Sequence, residues 1–394
     1  MQRNIKIIFV SHGNTTNGGE LCLADTVKAL IDKGGYEIYV LIPGPPGSLL
    51  AKIIDDNGAI VKPVFSNSRW VDHPIGWKEK LTWLKTTGGT YLRFSKMLRE
   101  IKPDYVVTNT IVSNPAFAIA SKLHGYRHAW YIHELGDKDH GYKYYFGKRL
   151  TWSLVNLLSD RVIINSHFTL RYFTNKKIEH GSKRKIIYYG VPVERLKIND
   201  TDFDEAIINK WNGITKWNIL VAGRTVKGKG QEDIITAIAI IKNEYKLTNF
   251  HLKVVGQVSG EYNDKLLQLI KESGLEEFVD MIPFSEHPGK YFKEAHIGVT
   301  TSRNEAFGRI TVEYMKSNMV TVGANAGATN EIIQNNINGY CYEPGDISQF
   351  AKILVEIMSD AGNAKTVAWK GKTEIEQRFN LARHGAEVND FLFN

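Results

Sequence analysis

The chain has 394 residues, 43% hydrophobic and 23% charged. That composition excludes disorder and, at ~100–200 residues per domain, predicts two or three domains. No run approaches the ~18 consecutive apolar residues of a membrane helix, and Cys22 and Cys341 form neither a disulfide framework nor a zinc cluster, so a cytoplasmic, reducing setting is expected. Net charge is +8 but uneven: residues 1–195 hold 28 Lys and Arg against 16 Asp and Glu, and the remainder 22 against 26. The first half therefore either faces an anionic partner (nucleic acid, a membrane surface or a phosphorylated substrate) or carries a basic solvated face.

Short β-branched runs alternate with longer amphipathic segments. The runs fall at 5–10, 37–42, 104–109, 127–133, 160–165 and 185–188, then at 217–222, 250–256, 278–282, 296–301, 319–323 and 339–342. The first is too short for a signal-peptide core. Apolar runs of this length between helical periods predict parallel strands in βα units, and six in each half predict two doubly wound α/β domains. The charge reversal and Pro192 set the boundary near residue 195, giving 1–195 and 196–372. A closing helical segment, 373–394, has no strand of its own.

Four segments carry chemistry, and a fifth carries charge. SHGNTTNGGEL (11–21) follows the first strand and puts Gly18 and Gly19 at a helix start, where backbone amides can approach an anion; a plain glycine turn reads the same way. The stretch 91–102, YLRFSKMLREIK, repeats a cation every three residues: Arg93, Lys96, Arg99 and Lys102. WYIHELGDKDHGYKYYFGKRLTW (130–152) sets His133 at a strand end, followed by Glu134, Asp137, Asp139 and His140, which lack the spacing of a metal motif. Lys143, Lys148 and Arg149 then mix with aromatics, as at a membrane interface or on a packed helix. In VAGRTVKGKGQEDII (221–235), Gly223 is followed by Arg224 and Lys229, two cations able to clamp a diphosphate without a metal. In TSRNEAFGRITVEYMKS (301–317), Glu305 precedes a helix from about Gly308 and Glu313 lies in its second turn. Both can accept hydrogen bonds from vicinal hydroxyls, or serve as ordinary helix charges.

Together these segments resemble glycosyltransferase family 4, retaining enzymes of the GT-B fold that use nucleotide-sugar donors. The resemblance covers nearly the whole chain and is strongest over 220–345. EAFGRITVE (305–313) is the family's Glu, seven residues, Glu signature, and GRTVKGKG (223–230) is similar to its Gly-Arg loop. AGATNEII (326–333) and NGYCYEPGD (338–346) are similar to its closing segments, and NGGE, YIHE and VIINS to its first-half stations. Departures are YYGVP (188–192), PFS (283–285) and Ala328 in place of a frequent second glycine.

The resemblance implies a GT-B fold: two Rossmann-like domains facing a cleft, the first for the acceptor and the second for the nucleotide sugar, with the closing helix crossing back to the first. It also implies roles. Arg224 and Lys229 neutralise the diphosphate, with amides at Gly18 or Gly19 reaching the same group. Glu313 holds the ribose diol. Glu305, with amides of Phe307, Gly308, Arg309 and Ile310, holds the sugar, and His133 lies beside the reacting centre. The implied reaction moves a hexose-type sugar, with retention, from a UDP-sugar to a glycan or lipid-linked saccharide in envelope or exopolysaccharide assembly. No metal or cofactor is expected, and the protein is expected at the inner face of an anionic membrane. A nucleotide-sugar epimerase of the same architecture is the alternative. A nucleic-acid binder is the next, although no RRM, KH, helix-turn-helix or zinc-finger signature is present.

Overall fold

The computed structural model describes residues 3–44, 47–64, 69–73, 76–174, 182–197, 201–256, 260–285 and 287–394. The chain forms two compact units, Met1–Gly190 with Asn380–Asn394, and Val191–Phe379.

The first unit is built on a parallel sheet of seven strands: β1 (Ile5–Val10), β2 (Tyr36–Pro43), β3 (Ile60–Val64), β4 (Tyr105–Asn109), β5 (His128–Ile132), β6 (Arg161–Ile164) and β7 (Arg184–Ile186). They lie in the order 3-2-1-4-5-6-7, the reversal at β1 and β4 being the doubly wound switch point. β4 and β5 are buried at every residue, because helices cover both faces, which is why they read as mainly apolar runs. On one face Phe94, Leu98 and Phe117 pack on Ile8 and Val10. Farther along the same face, Trp70 and Trp130 stack with centroids 5.5 Å apart, and their indole N–H groups donate to the carbonyls of Ile111 and Thr110. A two-residue antiparallel ribbon joins Val71–Asp72 to Lys143–Tyr144.

The second unit holds six parallel strands: β8 (Trp217–Ala222), β9 (Phe250–Val255), β10 (Val279–Ile282), β11 (Ile297–Thr300), β12 (Val320–Ala324) and β13 (Tyr340–Tyr342). Their order is 10-9-8-11-12-13. β8 and β11 are therefore neighbours, and the loops leaving their C-terminal ends meet. That is where open α/β sheets bind ligands.

Three expectations need correction. The first sheet has a strand that the run count missed, β3. It is an edge strand whose residues are exposed or half-buried, so it lacks an apolar run, and Pro63 is tolerated only because the edge asks less of its backbone. The closing segment is not one helix from 373. Helix Ala361–Arg378 belongs to the second unit and ends at Phe379. Asn380 then caps a new helix, Leu381–Phe393, by accepting from the Arg383 amide at 2.7 Å. The division between units falls at Gly190–Val191 rather than near 195, because the Val191 amide donates to the Phe379 carbonyl (2.9 Å) within the second unit.

Helix Leu381–Phe393 packs on helix Gly18–Lys33 of the first unit. Gly385 permits the approach, since a Cβ there would lie 2.8 Å from that of Ala29. His384 reaches the Tyr188 carbonyl (3.0 Å) and the Thr26 hydroxyl (2.9 Å). Among the described residues no helix is long and apolar enough to cross a membrane.

His128, at the start of β5, is fully buried between the Thr108 hydroxyl (2.8 Å) and that of Ser159 (3.2 Å). Burial pushes its pKa down to about 3, against the opposing pull of Asp160. The folded value lies below the unfolded 6.5, so this contribution is whole above pH 6.5 and drains away as pH falls toward 3. Urea unfolding of the first unit across that window is expected to show stability falling with pH, and a shallower slope in His128→Gln.

Candidate functional site

In the second unit, the site begins where β8 ends. Gly223 has φ +145° and donates to the Val255 carbonyl at 2.9 Å. Gly256 faces it so closely that a Cβ would stand 1.8 Å from the Gly223 oxygen, so only glycine fits. Beyond the partly buried Arg224, a 3₁₀ turn over Lys227–Lys229 leads into Gly230 in the left-handed region and helix Gln231–Asn243. The loop is pinned at both ends. Gln231 Nε2 donates to the Arg224 carbonyl (2.9 Å), and Thr301 Oγ1 donates to the Lys229 carbonyl (2.6 Å).

That docking onto the loop after β11 brings Lys229 Nζ to 2.7 Å from Glu305 Oε2, with the two side chains 29% and 17% exposed. The backbone of Glu305 is itself held. The Ala328 amide donates to its carbonyl at 2.8 Å, and Gly327, at φ +63°, lies where a Cβ would come within 2.7 Å of the Glu305 backbone nitrogen. Ala328 has φ −91°, a conformation open to any L-residue, so alanine stands without strain where the family often has glycine.

Gly308, φ +92°, precedes helix Arg309–Lys316. Arg309 Nε donates to Glu313 Oε1 across one turn at 2.8 Å, both side chains being largely buried. Each glutamate of the Glu, seven residues, Glu pair is thus ion-paired to a cation. Tyr314 fixes the helix against the sheet: its ring lies on Gly298, where a Cβ would clash at 2.5 Å, and its hydroxyl accepts from the Ala222 amide. Phe307 is buried against Phe379, centroids 5.5 Å apart, so it can offer a ligand its backbone but not its ring. The first turn of this helix, including Ile310, leaves backbone amides outside the helix ladder, and the positive end of the helix dipole lies where the loop carrying Glu305 ends. The arrangement suits a polyhydroxylated anion.

In the first unit, Gly18 and Gly19 open helix Gly18–Lys33 after Asn17. Buried Glu20 accepts from Thr15 (3.0 Å) and lies 3.4 Å from His12 Nε2. His133 follows β5 and is buried, 6% exposed. Asn109 Nδ2 donates to the Gly19 carbonyl, which turns its oxygen toward His133. His133 Nε2–H therefore donates to Asn109 Oδ1 (2.5 Å), and Nδ1 accepts from the Tyr189 hydroxyl. Burial, then the neighbouring His12 and His384, holds the ring well below the usual histidine pKa. His133 is a neutral ring with both nitrogens engaged.

The candidate metal ligands after it are used structurally. Glu134 accepts from the Ile111 and Val112 amides, and Asp137 from the Tyr172 hydroxyl; the side chains of Asp139 and His140 lie outside the described residues. Of the basic residues, Lys148 donates to the Tyr172 carbonyl (3.3 Å), whereas Arg93, Lys96 and Arg99 are exposed. Lys102 ends its helix in the left-handed conformation.

Sequence reasoning missed three supports of the second-unit site: Thr301, the Tyr314 ring and the Arg309 side chain. Only the last left a signal, its spacing of four from Glu313, which marks neighbours on a helix.

Two family models match the chain: Glycosyltransferase Family 4 over residues 16–195 and Glycosyl transferases group 1 over 204–373. Among relatives, a Campylobacter jejuni N-acetylgalactosamine-N,N'-diacetylbacillosaminyl-diphospho-undecaprenol 4-alpha-N-acetylgalactosaminyltransferase is 26% identical over 236 residues, 59% of this chain and 60% of that protein. The Staphylococcus aureus capsular polysaccharide biosynthesis glycosyltransferase CapH is 22% identical over 182 residues, 46% and 47% of the two chains. The chain spans about half the length of the curated relatives it matches. Among solved structures, Anabaena Alr3699/HepE in complex with UDP and glucose superposes with a TM-score of 0.79 at 22% identity, covering 99% of each chain. At that identity the likeness establishes the fold, GT-B.

Proposed function

Because the chain belongs to glycosyltransferase family 4, we propose that it moves a hexose-type sugar from a UDP-sugar to a saccharide or lipid-linked acceptor of the cell envelope, with retention and without a metal. One observation carries the reading: both signature glutamates and two cations surround a helix N-terminus at the C-terminal ends of β8 and β11. The relative named for undecaprenol-linked saccharides and the neighbour bound to UDP and glucose support the substrate classes.

In this reading the diphosphate lies against Arg224, Lys229 and the first amides of helix Arg309–Lys316, and the sugar and ribose hydroxyls donate to Glu305 and Glu313. As the anomeric C–O bond lengthens, the sugar becomes oxocarbenium-like and negative charge grows on the departing phosphate. Lys229, the Arg224 guanidinium and the helix dipole stabilise that charge, and Lys229, held beforehand by Glu305, needs little reorganisation. The acceptor oxygen bonds to the anomeric carbon, the nucleoside diphosphate leaves, and the acceptor's proton passes to the departing phosphate oxygen. Glu305 and Glu313 are already paired with cations, so neither is suited to act as a base on the opposite face. His133 and the Gly18–Gly19 turn keep the roles the resemblance implies. For His133 that role is a neutral hydrogen-bonding ring, not a proton acceptor.

Lys229→Ala is expected to lower turnover by roughly 10²–10³-fold, the scale of losing one preorganised donor to a developing oxyanion, with unchanged circular dichroism. A rate close to wild type would remove Lys229 from the site. Proton NMR of the first-formed product, from a donor of known anomer and with EDTA in excess, is expected to show the donor's configuration kept. Clean inversion would overturn the placement of the donor, and loss of all activity in EDTA restored by magnesium would overturn the metal-free mechanism.

A further inference from the structure

Helix Trp77–Ile101 of the first unit buries only Thr90, Phe94, Ser95 and Leu98, all in its second half. Its first half nevertheless is not polar. Trp77, Leu81 and Leu84, continued by Leu92, are 67%, 51%, 56% and 68% exposed. The intervals of four, three and eight residues put them on one stripe, about a quarter-turn round the helix from the buried Phe94 and Leu98. At ~1.5 Å per residue the stripe runs for roughly 22 Å. Solitary exposed leucines need no explanation, but a row of large apolar side chains on one face does.

The charge beside the stripe indicates what covers it. The helix carries six cations against two carboxylates. Lys78, Lys85 and Lys96 lie along one flank of the stripe and Arg99 in line with it, all exposed; Lys96 pairs with the exposed Glu100 at 3.9 Å. Trp83 anchors the helix on the opposite side by meeting the rings of Tyr145 and Phe146 edge-on. An apolar stripe with a cationic flank on a helix lying along the surface is the pattern of interfacial binding: the apolar side chains enter the acyl boundary while the lysines meet phosphate headgroups.

We propose that helix Trp77–Ile101 is a membrane-docking element that lies in the interface of an anionic phospholipid bilayer, inserting Trp77, Leu81, Leu84 and Leu92. This extends the contact from the cations at Arg93 to Lys102 toward the start of the helix. It is independent of the transfer reaction, since the contact requires no sugar substrate.

The test is co-sedimentation of the full chain with vesicles of phosphatidylcholine containing about 30 mol% phosphatidylglycerol, and with phosphatidylcholine alone. Binding is expected on the anionic vesicles, weakening as ionic strength rises from about 0.1 to 0.5 M. Leu81→Glu/Leu84→Glu is expected to reduce it by about tenfold or more, with unchanged circular dichroism and thermal unfolding. Lys78→Gln/Lys85→Gln is expected to reduce binding at low salt only. Equal binding to neutral and anionic vesicles, or wild-type binding by the leucine double variant, would overturn the proposal. So would a dimer in light scattering that the leucine variant abolishes, because the stripe's occupant would then be a second copy of the chain.

Discussion

The ion pair between Lys229 and Glu305 is the contact on which the second unit's site depends. It joins two loops that leave adjacent strands but lie 76 positions apart in sequence. Neither loop could bring its charge there alone. The first needs Gly230 in the left-handed region and the Thr301 hydroxyl on the Lys229 carbonyl; the second needs Gly327 beneath Glu305. At 29% and 17% exposure the two side chains are only partly screened by water, so the pair holds both groups oriented before any ligand arrives. A cation waiting in position for developing negative charge is what electrostatic preorganisation requires.

Helix Arg309–Lys316 carries the same constraint further. Its first turn presents amides and the Arg309–Glu313 pair. At its far end the buried Lys316 ammonium donates to the carbonyls of Val191 (2.7 Å) and Phe379 (3.1 Å), the first and last residues of the second unit. Phe307, just before the helix, packs on the Phe379 ring. The element assigned to the donor is therefore fastened to both points where the chain enters and leaves the unit. An unpaired ammonium buried there would be strongly destabilising, which makes the two carbonyls a condition of the helix position as well as a consequence of it.

Much of this was legible in the sequence, for reasons specific to the residues. Strands covered by helices on both faces are mainly apolar, so β4, β5 and β8 announced themselves, while β3, exposed and bearing Pro63, did not. The loops carrying Lys229 and Glu305 could be assigned to one site through the resemblance of GRTVKGKG and EAFGRITVE to the family's motifs, and the strand order brings the strands they follow side by side. What stayed hidden were contacts across long separations. His133 is neutralised as a proton acceptor by Tyr189, 56 positions away, and Asn109, 24 away. The break at Phe379–Asn380 depends on an asparagine cap inside a segment that is helical on both sides.

The central claim is that a nucleoside diphosphate sugar is held by the loops after β8 and β11. Hydrogen–deuterium exchange of the full chain, with and without saturating UDP-sugar, tests it most directly. The account predicts slower exchange in peptides spanning 223–231 and 305–313, whose amides and side chains would close on the diphosphate and sugar. Binding demonstrated by calorimetry, with those peptides unchanged and protection elsewhere, would contradict it.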